Sequence, residues 1–202
     1  MRLTVVVRAV TVCAFVAFGS RTEAQPTTSA TPPVTSADIR FMRDMLGHHA
    51  QAVEMVALIP ARTSNPRVRL LGERVATSQS DEIQLMTRWL QRFGGTPNAE
   101  THDMTAHRTR GRDSTAGHSD AAMPGMLSPA QMSVLRRARG ARFDRLFLMG
   151  MIQHHTGALT MTRALMKTPG AAQESGLNRF LLDVDADQRA EIVRMRRMLT
   201  SK

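Results

Sequence analysis

MLGHHAQAVEM occupies residues 45–55, and MIQHHTGALTM occupies residues 151–161. The chain has seven histidines. Four of them stand in these two adjacent pairs, each bracketed by methionines at the same distances. The likeness extends outward: Asp38, Phe41, Met45, His48, His49, Ala52 and Met55 match Asp144, Phe147, Met151, His154, His155, Ala158 and Met161, always 106 positions later. A second series matches 109 positions later: Val75, Gln79, Glu82, Ile83, Met86, Arg88 and Leu90 with Val184, Gln188, Glu191, Ile192, Met195, Arg197 and Leu199. The offset changes between the two series, where a loop absorbs three residues. The chain therefore reads as a duplicated two-helix unit.

Punctuation around the repeats sets the helix ends. Thr35 and Asp38 form a capping box before the first repeat. The apolar pattern Ile39, Met42, Met45, Leu46, Val53 and Val56 then runs at helical spacing to Pro60. Asn65-Pro66 is an N-cap followed by proline at the first helical position. The helix it opens carries Val68, Leu71, Val75, Ile83, Met86 and Leu90 and stops at Gly94-Gly95. Residues 94–127 have no apolar period and read as a long loop. Ser128 and Gln131 form another capping box, opening a short helix to about residue 139, and Gly140 marks a break. A long helix covers roughly 141–166 and a last one roughly 173–199, with Pro169-Gly170 between them. No segment alternates like a strand. The fold class is all-α: a four-helix bundle, residues 36–200, built from two duplicated hairpins joined by the 94–127 loop.

At roughly 100° per residue, Met45, His48, His49, Ala52 and Met55 share one helix face about 120° wide. Met151, His154, His155, Ala158 and Met161 repeat it. Both faces also carry apolar residues, so both are expected to point inward and meet. Imidazole suits copper, zinc, iron and nickel, whereas thioether is soft and selects Cu(I). A His/Met set without carboxylates therefore points to copper, chiefly cuprous, ahead of zinc. The plainer reading is core packing, since methionine on an apolar face is usually filler and duplication copies structural residues too. Adjacent histidines also diverge by about 100°, so one of each pair can serve as a hydrogen-bonding support instead. The loop holds the remaining histidines, His102, His107 and His118, with Met104 and the MPGM turn of Met123 and Met126. It reads either as a segment that captures copper at the surface or closes over a core site, or as a solvated linker.

The N-terminus has a different character. Arg2 and Arg8 flank a short apolar run, followed by Thr22 and Ala24 at the −3 and −1 positions of a cut before Gln25. Residues 1–24 read as a secretory signal peptide, and Pro/Thr/Ser-rich 25–35 as a flexible tether. The expected location is secreted or periplasmic. Cys13, the single cysteine, leaves with the signal, which excludes disulfides, thiolate metal sites and a cysteine nucleophile from the mature chain. The net charge of +10 falls to about +8 once Arg2, Arg8, Arg21 and Glu23 are removed. Arginine carries nearly all of it. The arginines are scattered, there is no Tyr and one Trp, and export parts the chain from nucleic acid, so no nucleic-acid partner is expected.

The same residues bear on two rival functions. A di-iron enzyme on this fold needs two Glu-x-x-His motifs, and the sequence has none; no zinc-hydrolase His-Glu-x-x-His occurs either. No enzymatic activity is expected. A non-metal structural or interaction bundle of the cell envelope would use the basic stretches RRARGARFDR (136–145) and RMRR (194–197).

FMRDMLGHHAQAVEM, MPGMLSPAQMSVL and FDRLFLMGMIQHHTGALTM together resemble the bacterial family called domain of unknown function 305, over roughly residues 36–200. The resemblance implies an exported, ferritin-like four-helix bundle associated with periplasmic copper binding and resistance. It implies Met45, His48, His49, Met55, Met151, His154, His155 and Met161 as metal ligands, with His102, Met104, Met123 and Met126 as weaker ones. Where the family often has Gly-Ala after the first histidine pair, this chain has Gln51-Ala52. The implied partners are a metal ion and an envelope or metal-transfer protein, and the implied state is a monomer or homodimer.

Overall fold

The structure, a computed structural model, describes residues 34–94 and 123–200. The expected signal peptide, most of the expected tether, and the loop residues His102, Met104, His107 and His118 lie outside the described residues. All described residues belong to one compact unit, Thr31–Lys202.

Six helices, and no strand, occur among the described residues: α1 (Ser36–Ala57), α2 (Ile59–Arg62), α3 (Pro66–Phe93), α4 (Pro129–Arg137), α5 (Gly140–Met166) and α6 (Ser175–Thr200). Four are long, and they form the bundle. Thr35 and Asp38 make the expected capping box, as do Ser128 and Gln131. Asn65 caps α3, with Pro66 in its first turn. The first helix stops earlier than the apolar pattern suggests, and the short α2 follows. Pro60 explains this: it has no N–H to give and its ring clashes with the carbonyl four residues back. The chain restarts with Pro60 in the first turn of α2, where no donor is needed. Gly140 at φ +55° makes the break before α5.

α1 packs along α3, α5 along α6, and α1 crosses α5. Two repeat-related aspartates tie each hairpin to the other. Asp38 at the start of α1 accepts the Ala172 N–H of the α5–α6 loop at 2.7 Å. Asp144, its equivalent on α5, accepts the Asn65 amide of the α2–α3 loop at 2.8 Å. Asp38 thus serves two ends at once, since its other oxygen accepts the Thr35 backbone N–H. Asp38→Ala should cost about 2–3 kcal/mol, the sum of a lost cap and an unpaired loop N–H. Urea unfolding monitored by helix signal measures it, and a loss under about 0.5 kcal/mol, within the range of an ordinary surface change, would contradict the tie.

The buried apolar residues form two clusters. One contains Ala52, Met55, Val68, Leu71, Val75, Phe143, Phe147, Met151, Ile192 and Met195. The other contains Phe41, Met42, Met45, Met86, Trp89, Leu165, Leu177, Leu181 and Val184. On every long helix a polar step separates them: His48 and His49 on α1, Gln79 and Glu82 on α3, His154 and His155 on α5, Gln188 and Glu191 on α6. A bundle with two apolar halves and a polar layer across its middle is the product of the duplication.

Candidate metal centre

The polar layer is deeply placed. His48, His49, His154 and His155 are all buried, as are Gln79 and Gln188. The inward orientation follows from helical spacing. His48 and His49 sit between Met45 and Met55 on the buried stripe of α1, and the same holds on α5. At the crossing of these helices the His48 and His154 rings meet, with centroids 3.8 Å apart and planes tilted by 39°. His49 and His155 lie outward of that pair, at 6.4 Å and 6.2 Å from their chain neighbours.

Each imidazole uses the same nitrogen to hold itself. His48 Nε2 donates to the Pro124 carbonyl at 3.0 Å. His154 Nε2 donates to the His48 carbonyl at 2.9 Å. A carbonyl only accepts, so Nε2 carries the proton in both rings and Nδ1 keeps its lone pair. His49 and His155 bond Glu82 and Glu191 through Nε2, each at 2.5 Å. The carboxylates occupy Nε2 of these two rings, so in them too Nδ1 is the nitrogen left over. All four Nδ1 atoms are buried and without a hydrogen-bond partner. An unpaired buried polar atom costs on the order of 1–3 kcal/mol, and two repeat-related pairs of them call for a function.

Glu82 and Glu191 correct one sequence expectation. The histidine set is not free of carboxylates, because α3 and α6 each bring one. Their side chains are 13% and 14% exposed. Glu54, beside the first motif, instead pairs with Arg136 at the surface. Glu82 and Glu191 do recur at equal offset in the two repeats, and that signal could have singled them out. What spacing could not tell was that they face the histidines of a different helix. The acidic edge is extended by Asp187, whose carboxyl is pushed up by burial and then by Glu82, Glu191 and Asp183.

The methionines do not all gather around the rings. Met45 and Met161 belong to one apolar cluster and Met55 and Met151 to the other, so the histidine layer has two thioethers on each flank. Met45, Met55 and Met151 are fully buried, and Met161 partly so. Met86 and Met195, a further repeat-related pair, are also fully buried, one in each cluster.

The MPGM turn breaks the twofold likeness. It sits directly on α5, where a Cβ at Gly157 would lie 1.9 Å from the Pro124 oxygen. Gly125 adopts φ +80°, and a Cβ there would meet the Gln153 carbonyl at 2.6 Å. Gln51 clamps the turn from α1: its amide donates to the Leu127 carbonyl at 3.0 Å and its oxygen accepts the Leu127 N–H at 2.7 Å. Gln153 donates to the carbonyls of Gly125 and Met126. The departure at Gln51 therefore has a structural purpose. Met123 reaches over α1, its methyl 3.7 Å from where a Gly47 Cβ would stand, and both Met123 and Met126 are partly buried. The last residues of the expected loop are thus a fixed cover above His48.

Among the described residues, no group of three or more His, Cys, Asp or Glu side chains is arranged to hold a metal ion. The nitrogens alone do not make a closed cage. Burial pushes the His48 imidazole down to about 4, against the Pro124 bond and with help from His49 and His155. Burial and then His48 and His155 lower His154 well below the usual histidine range. Both rings are therefore neutral at pH 7, as a ligand must be. Below pH 6.5 the unfolded chain takes up protons that folded His48 refuses, so stability falls as pH drops from about 6.5 to about 4. His48 alone should account for roughly 3 kcal/mol of that loss. Urea midpoints across this range should fall more steeply for the metal-free native protein than for His48→Gln; parallel curves would refute the buried neutral ring.

The sequence profile of the DUF305 family, "Domain of unknown function", matches residues 38–199. The chain belongs to the DUF305 family. No curated protein sequence matches it. Among solved structures it is similar to a DUF305 fragment from Deinococcus radiodurans, with 28% identity and a TM-score of 0.66 over 83% of this chain and 98% of that one. A DUF305 protein of Streptomyces coelicolor gives the same identity and score over 81% of this chain and 92% of the other. The fold is also that of CopM, solved in a Cu(I)-bound form, at 22% identity and a TM-score of 0.57 over 80% and 94% of the two chains. The DUF305 assignment and the all-α bundle thus agree with the reading of the repeats. Among the described residues no helix is long and apolar enough to cross a membrane.

Proposed function

We propose that this DUF305 protein binds copper as cargo, chiefly Cu(I), and sequesters it outside the cytoplasm without catalysing a reaction. The observation that carries this reading is the set of four buried Nδ1 atoms without a hydrogen-bond partner. In metal sites a ligating histidine donates its other ring N–H to a carboxylate or a backbone carbonyl. All four histidines do this here, two to carboxylates and two to carbonyls. The thioethers on both flanks give the layer its soft character and favour Cu(I) over zinc. Thioether sulfur needs no deprotonation, so part of the affinity persists in acid. Met123 and Met126 flank the Pro124–Gly125 pair whose first carbonyl holds His48 and are further candidate ligands, and His102 and Met104 belong to the segment leading to it. The copper-bound forms of CopM, which shares the fold, support the choice of metal.

Titrating the purified protein with Cu(I) against a coloured cuprous chelator, and with Zn(II) in parallel, tests the reading. Cu(I) should displace Zn(II). Equal or tighter zinc binding would refute the soft site. The carboxylates give a second test. Glu82→Gln with Glu191→Gln keeps the shape but weakens the hold on the His49 and His155 tautomers. Cu(I) affinity should fall roughly 10- to 100-fold, the usual cost of losing such a support. Unchanged affinity would remove His49 and His155 from the ligand set.

A further inference from the structure

The copper reading leaves the two basic stretches of the sequence without a task. The bundle brings them to one end. Arg194 and Arg197 of the RMRR stretch face Arg67 and Arg74 of α3 across an open groove, with Leu70 and Val193 among its apolar lining. Leu70 is 52% exposed and Val193 46%. A second groove shares Arg67 and Met198 with the first and adds Arg145, from the 136–145 stretch, beside Asp144. The two grooves are therefore one continuous surface. Five arginines, 67, 74, 145, 194 and 197, stand exposed on it. The arginine ion pairs found among the described residues involve Arg136 and Arg189 and none of these five. The one carboxylate in the second groove, Asp144, is already bonded to Asn65.

We propose that this surface docks on an anionic phospholipid bilayer, with the arginines on lipid phosphates and Leu70 and Val193 at the boundary between headgroups and acyl chains. The charge complementarity is specific in kind. A guanidinium fork matches two phosphate oxygens at once, which an ammonium does not. Exposed apolar side chains set among basic ones are the pattern that settles into a bilayer interface rather than spanning it. Near an anionic leaflet each basic residue is worth about fivefold in affinity. Docking would hold the bundle at the envelope with its histidine layer away from the lipid.

Sedimentation with vesicles of phosphatidylglycerol and phosphatidylcholine, against phosphatidylcholine alone, tests this. The native protein should bind the anionic vesicles and leave the zwitterionic ones. The quadruple variant Arg67→Gln, Arg74→Gln, Arg194→Gln, Arg197→Gln should bind more than about a hundredfold more weakly. A control removes the same charge elsewhere: Arg40→Gln, Arg88→Gln, Arg163→Gln, Arg179→Gln. It should lose less than about tenfold. All eight residues are exposed, so both variants should keep native helix content. Leu70→Ser with Val193→Ser should weaken binding at high salt, where charge is screened. Equal losses in the two quadruple variants would reduce the effect to net charge and overturn the proposal. So would equal binding to both vesicle types, or tighter binding to polyglutamate than to anionic vesicles, which would assign the surface to an acidic polypeptide.

Discussion

His48→Gln combined with His154→Gln is expected to lower Cu(I) affinity more than about a hundredfold, beyond the cost of losing a supporting carboxylate. Glutamine keeps an N–H donor for the Pro124 and His48 carbonyls and comes close to imidazole in length. It lacks a basic nitrogen in the place of Nδ1. The two rings stand 3.8 Å apart at the helix crossing, so the double variant removes the central pair of lone pairs with little disturbance of packing. Competition with a cuprous chelator reads the affinity, and circular dichroism verifies the fold. An affinity within about threefold of native, with helix content intact, would mean that the histidine layer packs and does not ligate.

Gly157→Ala is expected to be the most disruptive glycine-to-alanine change among the described residues. The added carbon would lie 1.9 Å from the Pro124 oxygen, 2.4 Å from its carbonyl carbon and 2.6 Å from the Gly125 Cα. These are backbone atoms, which cannot swing aside as a side chain can. The MPGM turn would have to lift, taking with it the carbonyl that fixes His48 and the partners of Gln51 and Gln153. Overpacking a tight site costs typically 1–3 kcal/mol, and the five hydrogen bonds that hold the turn add about 1 kcal/mol each, so a loss of roughly 6–8 kcal/mol is expected when all of them break. Gly47→Ala, on α1, is the contrast. Its methyl meets only the Met123 methyl, at 3.7 Å. Alanine favours the helix over glycine by roughly 0.5–1 kcal/mol. Thermal unfolding of the two variants should therefore shift in opposite directions. Equal melting temperatures would show that the turn does not rest on Gly157. If Gly157→Ala also weakens Cu(I) binding, the cover and the metal layer are one unit.

Much of this architecture is legible in one dimension because duplication writes it twice. An aspartate seven residues before the first methionine, the histidine pair and the bracketing methionines recur at one offset, and helical spacing places the histidines and methionines on one face. Helix ends were readable for a local reason: Thr35 with Asp38, Asn65 with Pro66, and Ser128 with Gln131 act within one turn of chain. The early stop of α1 was missed because the apolar pattern runs on to Ile59, while proline sterics reach back four residues to Val56. The supports of the site were missed for a different reason. Glu82 and His49 are 33 residues apart, and Pro124 and His48 are 76 apart. No period links them.

Sequence alone determined the helices, their pairing, the inward face and the two histidine–methionine stripes, because these depend on torsional preference and spacing along a single chain. Tertiary structure decided which nitrogen of each imidazole is spent on a hydrogen bond and which is left bare. It also decided that the methionines divide between two flanks and that a glycine on α5 seats the turn that holds His48. The physical reason is that hydrogen bonds and steric contacts act through space over about 3 Å, so residues remote in the chain become partners only once the helices cross.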